Sequence, residues 1–153
     1  MLYYSNIPNR KQVFTQEVAL PQGFQTKAYA PNCCELEHEN KPQKLILFKH
    51  QENNLDFAKI NLHQTIYSTR QDMFVFLTDV FQDTATGSTI APVRGCVQGV
   101  EYTGYLLIQC GESHGTIALL LTESVDSAPV SPIQLQQLLT PSSTSLTPKR
   151  QVA

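Results

Sequence analysis

The chain has 153 residues, 41% of them hydrophobic and only 16% charged, with a formal net charge of −2 at pH 7. That length suits one domain able to bury roughly two-thirds of the surface its unfolded form exposes. The composition excludes a coiled coil, a collagen and a highly charged disordered chain, and the slightly acidic balance argues against a surface built to neutralise nucleic-acid phosphates.

The segment from Gln12 to Leu20 carries Val13, Phe14, Val18 and Leu20 and breaks at Pro21-Gln22-Gly23. A second extended piece, Phe24 to Ala30, stops at Pro31. Asn32 to Pro42 is polar and acidic, with Glu35, Glu37 and Glu39 around His38, and reads as a loop. Lys44 to His50 is a short apolar run of strand length, followed by turn residues at 51–54. Leu55, Phe57, Ile60 and Leu62 alternate imperfectly, as a strand with a bulge would. Met73 to Phe81 is aromatic and β-branched, which favours a strand. Asp83 to Ser88 holds the Thr86-Gly87 turn.

Tyr105–Cys110 and Thr116–Thr122 flank Gly111-Glu112-Ser113-His114-Gly115, a short glycine-bounded link that predicts a β-hairpin. Ser131-Pro132-Ile133-Gln134 has the N-cap serine, first-turn proline and N3 glutamine of a helix start. Ile133, Leu135, Leu138 and Leu139 would form its apolar face, and Thr140-Pro141 stops it. These elements predict a mainly β domain over residues 1–140, an antiparallel barrel or sandwich with one short C-terminal helix. Residues 141–153 are rich in Ser, Thr and Pro and lack the apolar surface that offsets ordering entropy, so they read as a flexible tail.

The candidate sites all lack a required partner. Gly111–Gly115 fits G-x-S-x-G, which would make Ser113 the nucleophile of a small hydrolase. No histidine follows His114, however, and the next segment is apolar on every side. Adjacent Cys33 and Cys34 do not have the spaced pairs that tetrahedral zinc requires. The glycines of APVRGCVQG match no phosphate-binding loop. Tyr3, Tyr4, Phe14, Phe24, Tyr29 and Tyr67 could stack bases, but the basic residues are scattered. The expectation is therefore no catalytic group, no metal, no cofactor and no nucleic acid. No apolar run approaches the ~18 residues needed to span a bilayer, and the N-terminal residues lack a signal-peptide apolar core. A cytoplasmic protein without membrane insertion is expected, with Cys33, Cys34, Cys96 and Cys110 as free thiols.

Tyr105 to Leu138 resembles the second half of a CheW-like chemotaxis adaptor domain. Gly115–Val125 matches that family's second strand, Pro129 and Pro132 its proline-containing loop, and Pro92-Val93-Arg94-Gly95 its upstream elements, although the family's Asn-Leu-Arg-Gly signature and final strand are missing. The resemblance implies paired small β-barrels without catalytic residues that couple receptors to a kinase by burying apolar surface. The corresponding expectation is a protein-binding adaptor in a chemosensory or pilus-control complex, working through an exposed strand edge or the 105–121 hairpin, with Tyr102, Tyr105, Ile117 and Arg94 as binding residues. Low charge and abundant Gln, Thr and Ser also suit a viral or phage structural or accessory protein.

Overall fold

The computed structural model describes residues 9–14, 16–20, 22–111, 114–124 and 131–138. Strands β3 (Phe24–Ala30), β4 (Cys33–His38), β5 (Gln43–His50), β6 (Met73–Leu77), β7 (Gln82–Asp83), β8 (Thr89–Val97), β9 (Val100–Cys110) and β10 (Gly115–Glu123) build one antiparallel sheet. Its order is β3-β4-β5-β10-β9-β8-β6, with β7 paired to β8. Strands β1 (Asn9–Val13) and β2 (Gln16–Leu20) make a separate hairpin. The mainly β, antiparallel expectation is met, but the sheet runs from one edge to the other without closing into a barrel, single or paired.

The middle of the sheet is buried on both faces, so its strands are apolar throughout rather than alternating. Every residue of β10 from Gly115 to Thr122 is buried. Ala118 and Leu120 join Leu45, Leu47 and Leu107 on one face, under Phe14 and Leu135. Ile117, Leu119 and Leu121 join Ile46, Phe48, Leu106 and Ile108 on the other. That second face is covered by helices α1 (Leu55–Ile60) and α2 (Leu62–Thr69) through Ala58, Leu62 and Ile66.

These helices correct the reading of Leu55–Leu62 as a bulged strand. Asn54 Oδ1 accepts hydrogen bonds from Asp56 N at 2.8 Å and Phe57 N at 3.3 Å, an N-cap that satisfies two orphan donors. Ala58, Leu62 and Ile66 recur every four residues, the helical period that the Leu55/Phe57 alternation disguised. Helix α2 packs against both β5 and β6, third and last in the sheet order. The sheet therefore curls around the helical pair, which occupies the space where a barrel would have closed.

The acidic segment after Asn32 is also corrected from loop to strand: Glu35 and Glu37 of β4 lie opposite Ile46 and Lys44 of β5. The Met73–Phe81 strand ends earlier, at Leu77. Helix α3 (Pro132–Leu138) forms where expected, with Ser131 Oγ accepting from Ile133 N at 3.1 Å. Leu135 is buried, whereas Ile133 faces solvent rather than joining the apolar face. The expected tail at 141–153 lies outside the described residues.

Two turns explain their glycines. Gln98 and Gly99 join β8 to β9 with φ of 51° and 85°, the two left-handed residues of a tight hairpin. Gly115 lies where a Cβ would run into the His50 ring and the Gln109 carbonyl. Because Ile117 is fully buried, Ile117→Ala is expected to lower stability by about 2–5 kcal/mol. The check is a lower denaturant midpoint at unchanged slope.

Candidate functional site

The G-x-S-x-G segment connects β9 to β10 as a hairpin link, not a strand to a helix. Gly111 N donates to His114 O at 2.9 Å, and Cys110 pairs with Gly115 beyond the turn. Ser113 and Glu112 lie outside the described residues.

His50 and Cys110 approach each other, with Sγ 4.0 Å from Nε2, yet neither is prepared for nucleophilic work. His50 Nδ1 accepts from Glu52 N at 3.1 Å, and Nε2 lies 2.8 Å from the Gln109 carbonyl. Both ring nitrogens are thus committed to backbone, which describes a neutral ring donating through Nε2. Burial lowers the His50 pKa against the opposing Gln109 hydrogen bond, and burial raises that of the Cys110 thiol. A neutral histidine beside a protonated thiol is the reverse of an activated pair. His50 also borders a polar cleft of about 430 Å3 beside α2, with Lys49, Glu52, Asn61, Thr65 and Thr69 in its wall.

The carboxylates of β4 belong to an ion-pair network. Lys44 Nζ lies 2.7 Å from Glu35 Oε2 and 2.6 Å from Glu37 Oε2. Arg70, the C-cap of α2, donates from Nη1 to Glu35 Oε1 at 2.8 Å and through Nε and Nη2 to both oxygens of Asp72. Lys27 reaches Glu37 at 3.1 Å. Burial pushes the Glu35 pKa up, but hydrogen bonds and charge from Lys44 and Arg70 outweigh it and the net shift is downward. The Arg70 hydrogen bonds hold Asp72 down at about 2. Three acids face three bases, so the cluster has no charge left over for a ligand; it pins the end of α2 to β4 and β5. Cys33 and Cys34 point to opposite faces of the sheet, into different apolar clusters. Among the described residues no group of three His, Cys, Asp or Glu side chains could hold a metal ion, and no disulfide joins any of the four cysteines.

The four expected binding residues separate into two groups. Ile117 and Tyr102 are buried in the cluster beneath α1 and α2. The β9–β10 hairpin occupies the middle of the sheet, so it has no open edge. Arg94 is exposed and Tyr105 half-buried, and both line one depression of about 440 Å3 on the opposite face, with Thr78, Pro92 and Thr103. Arg94 also borders a second hollow, of about 170 Å3, with Phe74, Phe76, Cys96 and Glu101.

Register explains this grouping. Phe74 lies opposite Cys96, and Cys96 opposite Glu101; Phe76 lies opposite Arg94, and Arg94 opposite Thr103. Directly paired residues share a face. Met73 and Val75 of β6 turn into the apolar cluster, which leaves Phe74 54% and Phe76 48% exposed on the other side. Sequence reasoning took Met73–Phe81 as one apolar strand and missed these phenylalanines. The available signal was period-2 alternation in Met73–Leu77, hidden because both sets of residues are apolar.

The sheet edges are less suited to a partner than this face. At β6, Val75 N donates to Tyr67 Oη at 2.9 Å, and Tyr67 Oη donates back to Val75 O at 3.0 Å. His63 Nε2 lies 3.0 Å from the same carbonyl. Helix α2 thereby occupies backbone groups that an added strand would need. At β3 the register shifts between Thr26 and Ala28, with Lys27 at the irregularity, which opposes flat pairing.

No protein-family model matches the chain, and no curated protein matches it. Among solved structures it is similar to cyanobacterial PsbP (CyanoP) from Synechocystis sp. PCC 6803, with TM-score 0.52 and 13% identity over 76% of this chain and 80% of that one. It is also similar to a protein from Bacteroides thetaiotaomicron VPI-5482, with TM-score 0.50 and 8% identity over 86% of this chain but only 46% of that one. At such identities the likeness is one of fold alone. Among the described residues no helix is long and apolar enough to cross a membrane.

Two outcomes test this account of the charged groups. Lys44→Met removes one of the two close cations from buried Glu35, leaving Arg70 at 2.8 Å, and is expected to cost about 1.5–3 kcal/mol, whereas Lys27→Met, at the exposed end of the network, changes stability by less than about 1 kcal/mol; denaturant titrations compare the two. The lowered pKa of His50 means that the unfolded chain binds its proton first. Its contribution to stability is therefore present above about pH 6.5 and is lost as the pH falls through the lower folded value. Midpoints measured from pH 7 to pH 5 should show this slope, and His50→Gln should flatten it.

Proposed function

We propose that this chain is a non-catalytic protein-binding module of adaptor type, working through the sheet face formed by β6, β8 and β9. The observation that carries the reading is the pair Phe74 and Phe76, about half exposed on a part of the sheet that no described element covers, beside an exposed Arg94. Protein interfaces combine such aromatic anchors with arginine and a polar rim. The titratable groups with catalytic potential are meanwhile tied into the fold: His50 to backbone, Glu35 and Glu37 to Lys44.

The CheW-like resemblance names a chemosensory receptor–kinase assembly as the first partner to present to it. Of the expected binding residues, Arg94 and Tyr105 lie on this face; Tyr102 and Ile117 support it from the core behind. Affinity capture from the native cell tests the proposal, using wild type and Phe74→Ser/Phe76→Ser. Both side chains are substantially exposed, so the double variant is expected to keep its fold, verified by a denaturant midpoint close to wild type. Wild type retains a protein, or an untagged copy of the chain, that the variant loses. Equal retention by both overturns this face as the working surface.

A further inference from the structure

Four residues on β8 and β9 form a rectangle on the uncovered face. Cys96 lies opposite Glu101 and Arg94 opposite Thr103. Arg94 and Glu101 occupy one diagonal, roughly 7–8 Å apart at the backbone, and neutral Cys96 and Thr103 occupy the other. Arg94 and Glu101 are exposed, and among the described residues neither has an ion-pair partner. Phe76 and Phe74 extend the same two rows onto β6.

This pattern is self-complementary. A two-fold axis in the plane of contact, perpendicular to the charged diagonal, exchanges the charged corners, so a second face laid on the first sets each arginine over a glutamate. Isologous contacts require this property: if residue i meets j, then j meets i. A partner of uniform charge would satisfy only one of the two corners. We propose, building on the binding face argued above, that its occupant is a second copy of this chain, packed sheet to sheet about a two-fold axis with Arg94 of each copy meeting Glu101 of the other.

Three strands about 4.8 Å apart and two rows of same-face residues give a contact core well below the ~800 Å2 per partner of a standard interface. The dimer is therefore reversible and concentration-dependent. Sheet faces pack about 10 Å apart, which leaves room for the four phenylalanines of the two copies between the layers.

Sedimentation equilibrium up to about 1 mM, near the weak limit of specific association, tests the proposal with three proteins. Wild type approaches twice its monomer mass as concentration rises. Arg94→Glu and Glu101→Arg, each checked for a wild-type denaturant midpoint, remain monomeric because each now sets like charges together. Their equimolar mixture regains the doubled mass. In the mixed pair the glutamate introduced in one chain meets the arginine introduced in the other, and the second corner keeps its native Arg94 and Glu101. Wild type that stays monomeric throughout, single variants that still dimerise, or a mixture that stays monomeric overturns the proposal. If wild type is monomeric while Phe74→Ser/Phe76→Ser still abolishes capture of a different protein, the second copy is the wrong occupant and the binding face stands. If that double variant changes neither mass nor capture, both readings fall.

Discussion

Burial of both faces of β10 is the constraint on which the rest of the structure depends. A strand with nothing but apolar, small or hydrogen-bonded residues from Gly115 to Thr122 must be flanked by strands and roofed on each side. β5 and β9 supply the flanks. Helices α1 and α2 roof one face, and Phe14 with Leu135 of α3 roofs the other. Because α2 reaches from β5 to β6, the sheet curls and stops short of closure. The roof on the second side reaches the strands as far as Ile90 of β8 and ends there among the described residues. The β6–β8–β9 face is thus a consequence of how the core is covered, and it leaves two phenylalanines in water.

Polar groups inside the fold follow the same logic. The Lys44–Glu35–Arg70 cluster sits at the margin of the helix-covered face, where α2 ends, and fixes the helix to the sheet by charge-assisted hydrogen bonds. His50 ties β5 to the backbone of Gln109 at the far end of β9. Tyr67 and His63 close the β6 edge. Each of these side chains would be a catalytic candidate by residue type, and each is occupied with architecture. Arg94 and Glu101, by contrast, are exposed and have no ion-pair partner among the described residues.

The sequence offers Arg94, Tyr102, Tyr105 and Ile117 as one group, and the structure brings only Arg94 and Tyr105 to one depression. Tyr102 and Ile117 flank or belong to the same predicted hairpin as Tyr105, but side chains alternate between the two faces along a strand, and these two turn inward. Phe74 and Phe76 escaped notice because an apolar residue looks alike in sequence whether it faces a core or water. Glu35 escaped in the opposite sense: three glutamates around a histidine look solvated, and only the arrival of Lys44 and of Arg70, 35 positions away, lets a carboxylate be buried.

The sequence by itself determined what nearby residues control. The β9–β10 hairpin follows from glycines bounding a short link, the turn before β8 from Gly87 at positive φ, and the α3 start from Ser131-Pro132. β5 follows from a strand-length apolar run. Each is set by backbone sterics or capping within a few residues. Tertiary structure alone decided that Asn32–Pro42 contributes a strand and which apolar faces are covered. Those outcomes depend on burial and ion pairing between segments remote in the chain, and no local pattern encodes which partner arrives.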